Sequence, residues 1–318
     1  AAILLLALGE PLSGAIWILT GLAFLLGSAE VLRDNAAQTI LPSIVSTTEL
    51  ERANGQMWSA EQLTGQFIGP PLAGVLIAAG VGLPFGLDIA ALILAAGLVW
   101  LIRLKPTPPS GLRFFSALRE GISFMRGDPA LLRLAIVLGL SNFIATSTLT
   151  VQILFAQEVL GLSSTGYGLV LSVEAIGAIT GSLMAPLAIR YAGLHACLYL
   201  SIGVWAVGYA TVGLSHSGVI MAIALFAVLA AAMIWNVITV SWRQRRIPSE
   251  LLGRVNSIYR FFGWGSMPLG AMAGGVFVSL LEDEVGRTLA LRAPFLIAAA
   301  SCFVLLLYAI AKLKLEEE

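Results

Sequence analysis

The sequence predicts an all-α membrane protein with nine full transmembrane helices and part of a tenth. Three observations predict it. Hydrophobic residues make up 58% of the 318 and charged residues only 11%, with a mean hydropathy of +0.92. A soluble domain carries about a quarter of its residues charged, so lipid must be the main solvent here. The apolar residues fall in stretches of bilayer length, where each backbone polar group has to bond within its own segment. The positive charges gather on one side of those stretches.

Taken in order, residues 1–9 (AAILLLALG) are apolar with no basic region before them, which differs from a signal peptide and reads as a chain beginning inside a helix. Nine spans follow at roughly 13–40, 56–79, 83–104, 134–158, 166–189, 194–214, 218–241, 256–281 and 293–312. Short polar or glycine-bearing turns divide them, among them Gly9-Glu10-Pro11 and Leu214-Ser215-His216-Ser217. The interruption is 105–133. Prolines at 106, 108 and 109 stop a helix there. Leu112, Phe115, Leu118, Ile122 and Met125 then recur at helical spacing beside Arg113, Arg119 and Arg126, the pattern of a helix lying along the membrane surface.

If the nine spans hold, fifteen of the 18 Lys and Arg residues fall on one side, including the linker and the Lys312/Lys314 terminus. Only Arg287 and Arg292 fall on the other, and Arg33 lies within a span. That side is therefore expected to be cytoplasmic. A net charge of zero excludes a nucleic-acid partner, which needs a basic surface. The two cysteines, Cys197 and Cys302, sit in apolar runs and can build neither a disulfide framework nor a metal cluster. The chain has no phosphate-binding glycine loop with lysine, no zinc spacing and no serine elbow. An ATP-driven pump, a cofactor and an enzyme are accordingly not expected.

Sliding the chain by 201 residues superposes Asn35 on Asn236, Glu49 on Glu250, Leu50 on Leu251, Gly69 on Gly270 and Gly74 on Gly275. A one-residue slip brings Arg52 and Asn54 onto Arg254 and Asn256. The ordered set indicates duplication, as in transporters built from repeats. It divides the chain into 1–104, the remainder of an amino-terminal six-helix bundle; 105–133, a cytoplasmic linker with an amphipathic helix; and 134–318, a carboxyl-terminal six-helix bundle. The same shift implies further helices ahead of Ala1.

Several stretches carry a family resemblance: 33–74 (RDNAAQTILPSIVSTTELERANGQMWSAEQLTGQFIGPPLAG), 84–88 (PFGLD), 155–160 (FAQEVL) and 181–186 (GSLMAP). They resemble the major facilitator superfamily, in particular the bacterial efflux branch of enterobactin exporters and macrolide efflux proteins. The resemblance implies the major facilitator fold, with this chain as helices 3 (in part) to 12 of twelve. Residues 65–74 (GQFIGPPLAG) are similar to the family's antiporter motif through Gly65, Gly69, Pro70 and Gly74, with Ala73 in place of its penultimate glycine. Gly65, Gly69 and Ala73 at i, i+4 and i+8 would admit a second helix at close range, and Pro70 would bend the span. What the resemblance implies is a secondary transporter of the inner membrane, a proton antiporter exporting a small lipophilic molecule, drug or siderophore, working as a monomer in the bilayer. The alternatives are an uptake symporter of the same fold and a non-transporting sensor or scaffold.

Charged groups inside a bilayer cost several kcal/mol and mark functional positions. Glu30, Arg33 and Asp34 share one helix face, where Arg33 could neutralise one carboxylate and leave the other free to exchange a proton. Glu61 lies about two turns from a span end, and Glu174 sits mid-span with no basic residue within a turn, so it could carry a proton. Asp88 and Glu158 read as solvated span ends, and His195 and His216 as solvated turn residues. By the resemblance, Trp58, Gln62, Gln66, Asn142, Gln152, Trp235, Asn236, Tyr259, Arg260 and Trp264 lie on helices that line a central substrate cavity. Their amides and aromatic faces suit a bulky amphipathic molecule.

Overall fold

The computed structural model describes residues 12–80, 82–102 and 114–315. The stretch 1–9, the prolines at 106, 108 and 109, and Arg103, Lys105, Leu112 and Arg113 lie outside the described residues. Among the described residues the regular structure is entirely helical. Helix α1 (Leu12–Ile44) leads through a 3-10 turn at Thr47–Glu49 into α2 (Leu50–Gln62), a π-helical segment (Leu63–Ile68) and α3 (Gly69–Ala79). Then come α4 (Leu83–Trp100), α5 (Phe114–Gly127), α6 (Pro129–Leu154) with a π-helical end at Phe155–Val159, and α7 (Ser164–Ala192). Helices α8 (Leu194–Leu214), α9 (Gly218–Arg246), α10 (Ser249–Val285) and α11 (Arg287–Lys312) complete the chain.

Local chemistry sets several of these boundaries. Asp128 caps α6 by accepting from the Ala130 and Leu131 amides, with Pro129 supplying a first-turn position that needs no donor. Ser163 and Ser217 cap α7 and α9 in the same way. At Gly193 and Gly286 the backbone turns with φ of 79°, a conformation open to glycine, so α7–α8 and α10–α11 reverse with almost no loop.

Seven of the helices are long and apolar enough to cross a membrane: α4, α6 with its π-helical end, and α7 to α11. The sequence reading expected nine spans. The two others, α1 and 50–79, are helical, but neither is among the seven, and 50–79 is divided by the π-helical segment.

Helices α6–α11 pack as one bundle around Trp235, Phe155, Phe295 and other fully buried side chains. Backbone meets backbone at small residues: Gly177 and Gly181 of α7 lie on the Phe226 and Ala230 carbonyls of α9, and Gly270 and Gly274 of α10 lie on the Phe143 and Ser147 carbonyls of α6. Helix α2 leans on α7 and α9, and α1 on α9 and α10, whereas α3 and α4 pack mainly against each other. The antiporter-like glycines do not pack as expected. No described atom would touch a side chain at Gly65 or Gly74, and a side chain at Gly69 would meet the Thr64 carbonyl of its own helix.

The amphipathic helix α5 docks one face on α10: Met125 is buried, Gly121 abuts Ile258 and Arg254, and Glu120 pairs with Arg254. Phe115 is 80% exposed.

Candidate functional site

A cavity of about 580 Å³ lies between the end of α2 with its π-helical extension and helices α6–α9. That volume is in the range of small-molecule sites. Gln62 and Gln66 enter from one side, Thr148 and Gln152 from α6, and Ser172 and Glu174 from α7, with apolar side chains between them. Gln152 is 4% exposed and donates through Nε2 to Glu174 Oε1 at 2.6 Å. Among the described residues no Lys, Arg or His lines the cavity, and Glu174 is the one ionisable carboxylate there. The amide orients the carboxylate without neutralising it.

The other acidic candidates form a separate group. Arg33 lies 2.7 Å from Asp34 and 3.9 Å from Glu30, and Asp34 reaches across to Arg260 of α10 at 3.3 Å. Asp34 thus has two cationic partners, while the Glu30 side chain stays 63% exposed. Glu61 is exposed and interacts electrostatically with this group. None of these residues lines the cavity.

The aromatic and amide candidates divide as well. Gln62, Gln66 and Gln152 face the cavity. Asn142, Trp235 and Asn236 line a smaller chamber inside the bundle. Asn142 donates to the Gly263 carbonyl at 3.1 Å, and Trp235 packs on Trp205 with ring centroids 5.6 Å apart. Tyr259, Arg260, Trp58 and Trp264 line neither space. Tyr259 is buried with its ring 3.9 Å beneath the Arg243 guanidinium, and Trp264 lies under Arg260 at 5.0 Å. Of the three end residues expected to be solvated, Glu158 and His216 are exposed and His195 is half-buried, and each has a partner. His195 Nε2 accepts from the Leu315 amide, His216 Nδ1 lies 3.2 Å from Arg292, and Glu158 is held by Arg287 through both of its oxygens.

The basic end of the molecule is closed by a polar seam that the sequence reading missed. Asn54, fully buried, donates to Ser241 Oγ at 2.9 Å and Gln244 Oε1 at 2.6 Å. Gln244 in turn donates to the Gln38 carbonyl, tying α1 and α2 to the end of α9. Asn35 donates to the Gly253 carbonyl and Ser257, and Glu51 pairs with Arg245 at 2.5 Å. Gly55 rests directly on the Ser182 carbonyl of α7. The one sequence signal for the seam was the repeat, which had aligned Asn54 with Asn256. Asn256 is equally buried and accepts from Arg243 at 2.8 Å.

A helical membrane bundle with a mainly apolar cavity that carries a few polar groups, closed by polar contacts at one end, has the architecture of a membrane carrier. Residues 1–267 match the Major Facilitator Superfamily, and the chain belongs to it. The crystal structure of a bacterial homologue of the iron transporter ferroportin, in an outward-facing state, is similar in fold. The TM-score is 0.69 at 18% identity, over 88% of this chain and 68% of that one. No curated protein sequence matches the chain. The protein is therefore a multi-pass membrane transporter of small molecules and not an enzyme.

Proposed function

We propose that the protein is a proton-coupled secondary transporter that exports a small lipophilic molecule by alternating access between the bundles 1–104 and 134–318, with 105–133 joining them. The observation that carries this reading is Glu174, held by Gln152 and, among the described residues, the one carboxylate lining the cavity, with no basic residue beside it there. A carboxylate so placed can hold either a proton or a cationic cargo, which is the exchange an antiporter needs. Export is favoured by the resemblance of residues 65–74 to the antiporter motif. Uptake by symport, or a sensor without flux, is the alternative.

The lining also bears on cargo. A neutral or cationic drug-like molecule suits it better than an acidic siderophore, whose charge would meet Glu174 with nothing to offset it. Among the described residues no cluster of three His, Cys, Asp or Glu could hold a metal ion, so the fold likeness to a ferroportin homologue lends no support to an iron cargo. With the basic end cytoplasmic by the charge rule, the sealed seam makes this the outward-open arrangement. The protein then sits in the inner membrane as a monomer with a cytoplasmic carboxyl terminus.

The test is flux of a lipophilic cation, tetraphenylphosphonium, in proteoliposomes under an imposed pH gradient. Glu174→Gln keeps the shape and removes the proton, so gradient-driven flux should fall at least tenfold. A Glu30→Gln/Asp34→Asn variant should retain proton dependence. Full pH-dependent flux in Glu174→Gln would place coupling elsewhere.

A further inference from the structure

We infer that the smaller chamber is an annex of the transport cavity that receives a neutral hydrogen-bond-accepting group of the cargo, such as a carbonyl or ether oxygen. The inference rests on the transport reading of the main cavity. The chamber measures about 100 Å³ and shares Ala145, Tyr209, Val228 and Leu229 with the main cavity's wall. One layer of side chains at most divides the two. Its further lining includes Ser141, Asn142, Trp205, Trp235 and Asn236.

The indoles distinguish this chamber from a packing void. Trp205 and Trp235 are 6% and 2% exposed, and both Nε1 donors are buried with no hydrogen-bond partner. Each buried, unpaired donor carries a desolvation cost that phenylalanine at the same place would avoid. Ser141 has spent its hydroxyl on the Leu138 carbonyl and Asn142 its amide nitrogen on the Gly263 carbonyl. Of the chamber's polar atoms, those buried and without a partner are the two indole N–H donors.

Charge and size narrow what could answer them. No charged residue lines the chamber, and an ion there would lose its hydration without a counter-charge. A neutral acceptor avoids that cost. The volume admits one functional group and not a whole drug-sized molecule, whose body would occupy the main cavity beside Glu174.

The test uses the full chain in detergent micelles. Its seven tryptophans give seven indole N–H signals in nitrogen–proton NMR, assignable by single Trp→Phe substitutions. If the two annex variants do not fold, the other five substitutions leave the annex pair identified by elimination. Two lipophilic cations serve as probes: rhodamine 6G, which carries an ester carbonyl, and tetraphenylphosphonium, which has no acceptor. Rhodamine 6G should shift both annex indole protons downfield, and tetraphenylphosphonium should leave them in place. Trp205→Phe and Trp235→Phe should each weaken rhodamine 6G binding about three- to tenfold, the worth of one hydrogen bond, and leave tetraphenylphosphonium within about twofold. Annex signals that do not move with rhodamine 6G, or that move alike with both probes, would overturn the inference; resident water is then the partner of these donors. Tetraphenylphosphonium binding that fails, or that is indifferent to Glu174→Gln, would count against the main-cavity reading alone, because the indole response to rhodamine 6G is read independently.

Discussion

Replacing Asn54 with alanine should unseal the basic end of the carrier. The side chain is fully buried, and its amide donates to Ser241 and Gln244 on α9 and to the Leu50 carbonyl in its own helix. Its Oδ1 has no partner to lose. An amide has two N–H groups, so about two hydrogen bonds disappear, each worth about 0.5–1.5 kcal/mol net. The loss falls on the sealed state, because once α2 and α9 separate water solvates the same groups. The equilibrium should therefore move toward opening at the basic end by about 1–3 kcal/mol, or about 5- to 150-fold. The assay is labelling of a Ser172→Cys cavity thiol by an impermeant maleimide added to either face of sealed vesicles. Cys197 and Cys302 are buried and supply little background. Without the Asn54 change the thiol should react from the face opposite the basic end; with it, labelling from the basic face should rise severalfold. An unchanged side preference together with a lowered Tm would refute the reasoning and leave Asn54 a purely structural residue.

Gly55→Leu should have the same effect by wedging, since a side chain there collides with the Ser182 carbonyl, and cavity labelling from the basic face should rise without loss of the folded bundle. Reporter fusions after Lys314 and within 283–291 should report opposite sides of the membrane; the same side for both would overturn the topology. Arg287→Ala breaks exposed pairs with Glu158 and Glu282, each partner about 40% exposed and screened by water, so it should shift Tm by no more than about a few degrees.

Much of the architecture was legible because lipid imposes a length on every helix it surrounds. Among the described residues a helix stands at each of the nine expected span positions, seven of them long and apolar enough to cross a membrane, and a further helix lies at Phe114–Gly127. What hydropathy could not show was register. Pro70 and Pro71 offer no N–H to the carbonyls of Gln66 and Phe67, and in the turn just before them the helix widens to π geometry. The cavity was half legible. Gln152 and Glu174 stood out singly as polar groups in apolar helices, but their hydrogen bond joins different helices. Thr148 was available as a signal, one turn before Gln152 on the same face. Trp205 and Tyr209 were not, because α8 is apolar all round and gives no face to choose. Tyr259 and Arg260 were assigned to the cavity by resemblance, and the structure puts them against Arg243 and Asp34 instead.

The two kinds of contact in this molecule differ in what separation would cost. Within α6–α11, glycine surfaces meet backbone carbonyls at Gly177, Gly181, Gly270 and Gly274, and the contact is close packing that nothing in lipid or water would replace at equal density. Across the seam, apart from Gly55, the ties are Asn54, Gln244, Asn35, Glu51 and Asp34 with their partners. Each of these groups exchanges a protein partner for water when the seam parts, so the net cost per bond is about 1 kcal/mol where the gross bond is several times that. Six or so such bonds sum to a barrier that cargo binding in the cavity could tip, whereas the glycine contacts hold α6–α11 together as one body. A bundle that stays intact while a polar seam opens and closes is what alternating access requires, and here the division follows from where the sequence puts glycine and where it puts amides and charges.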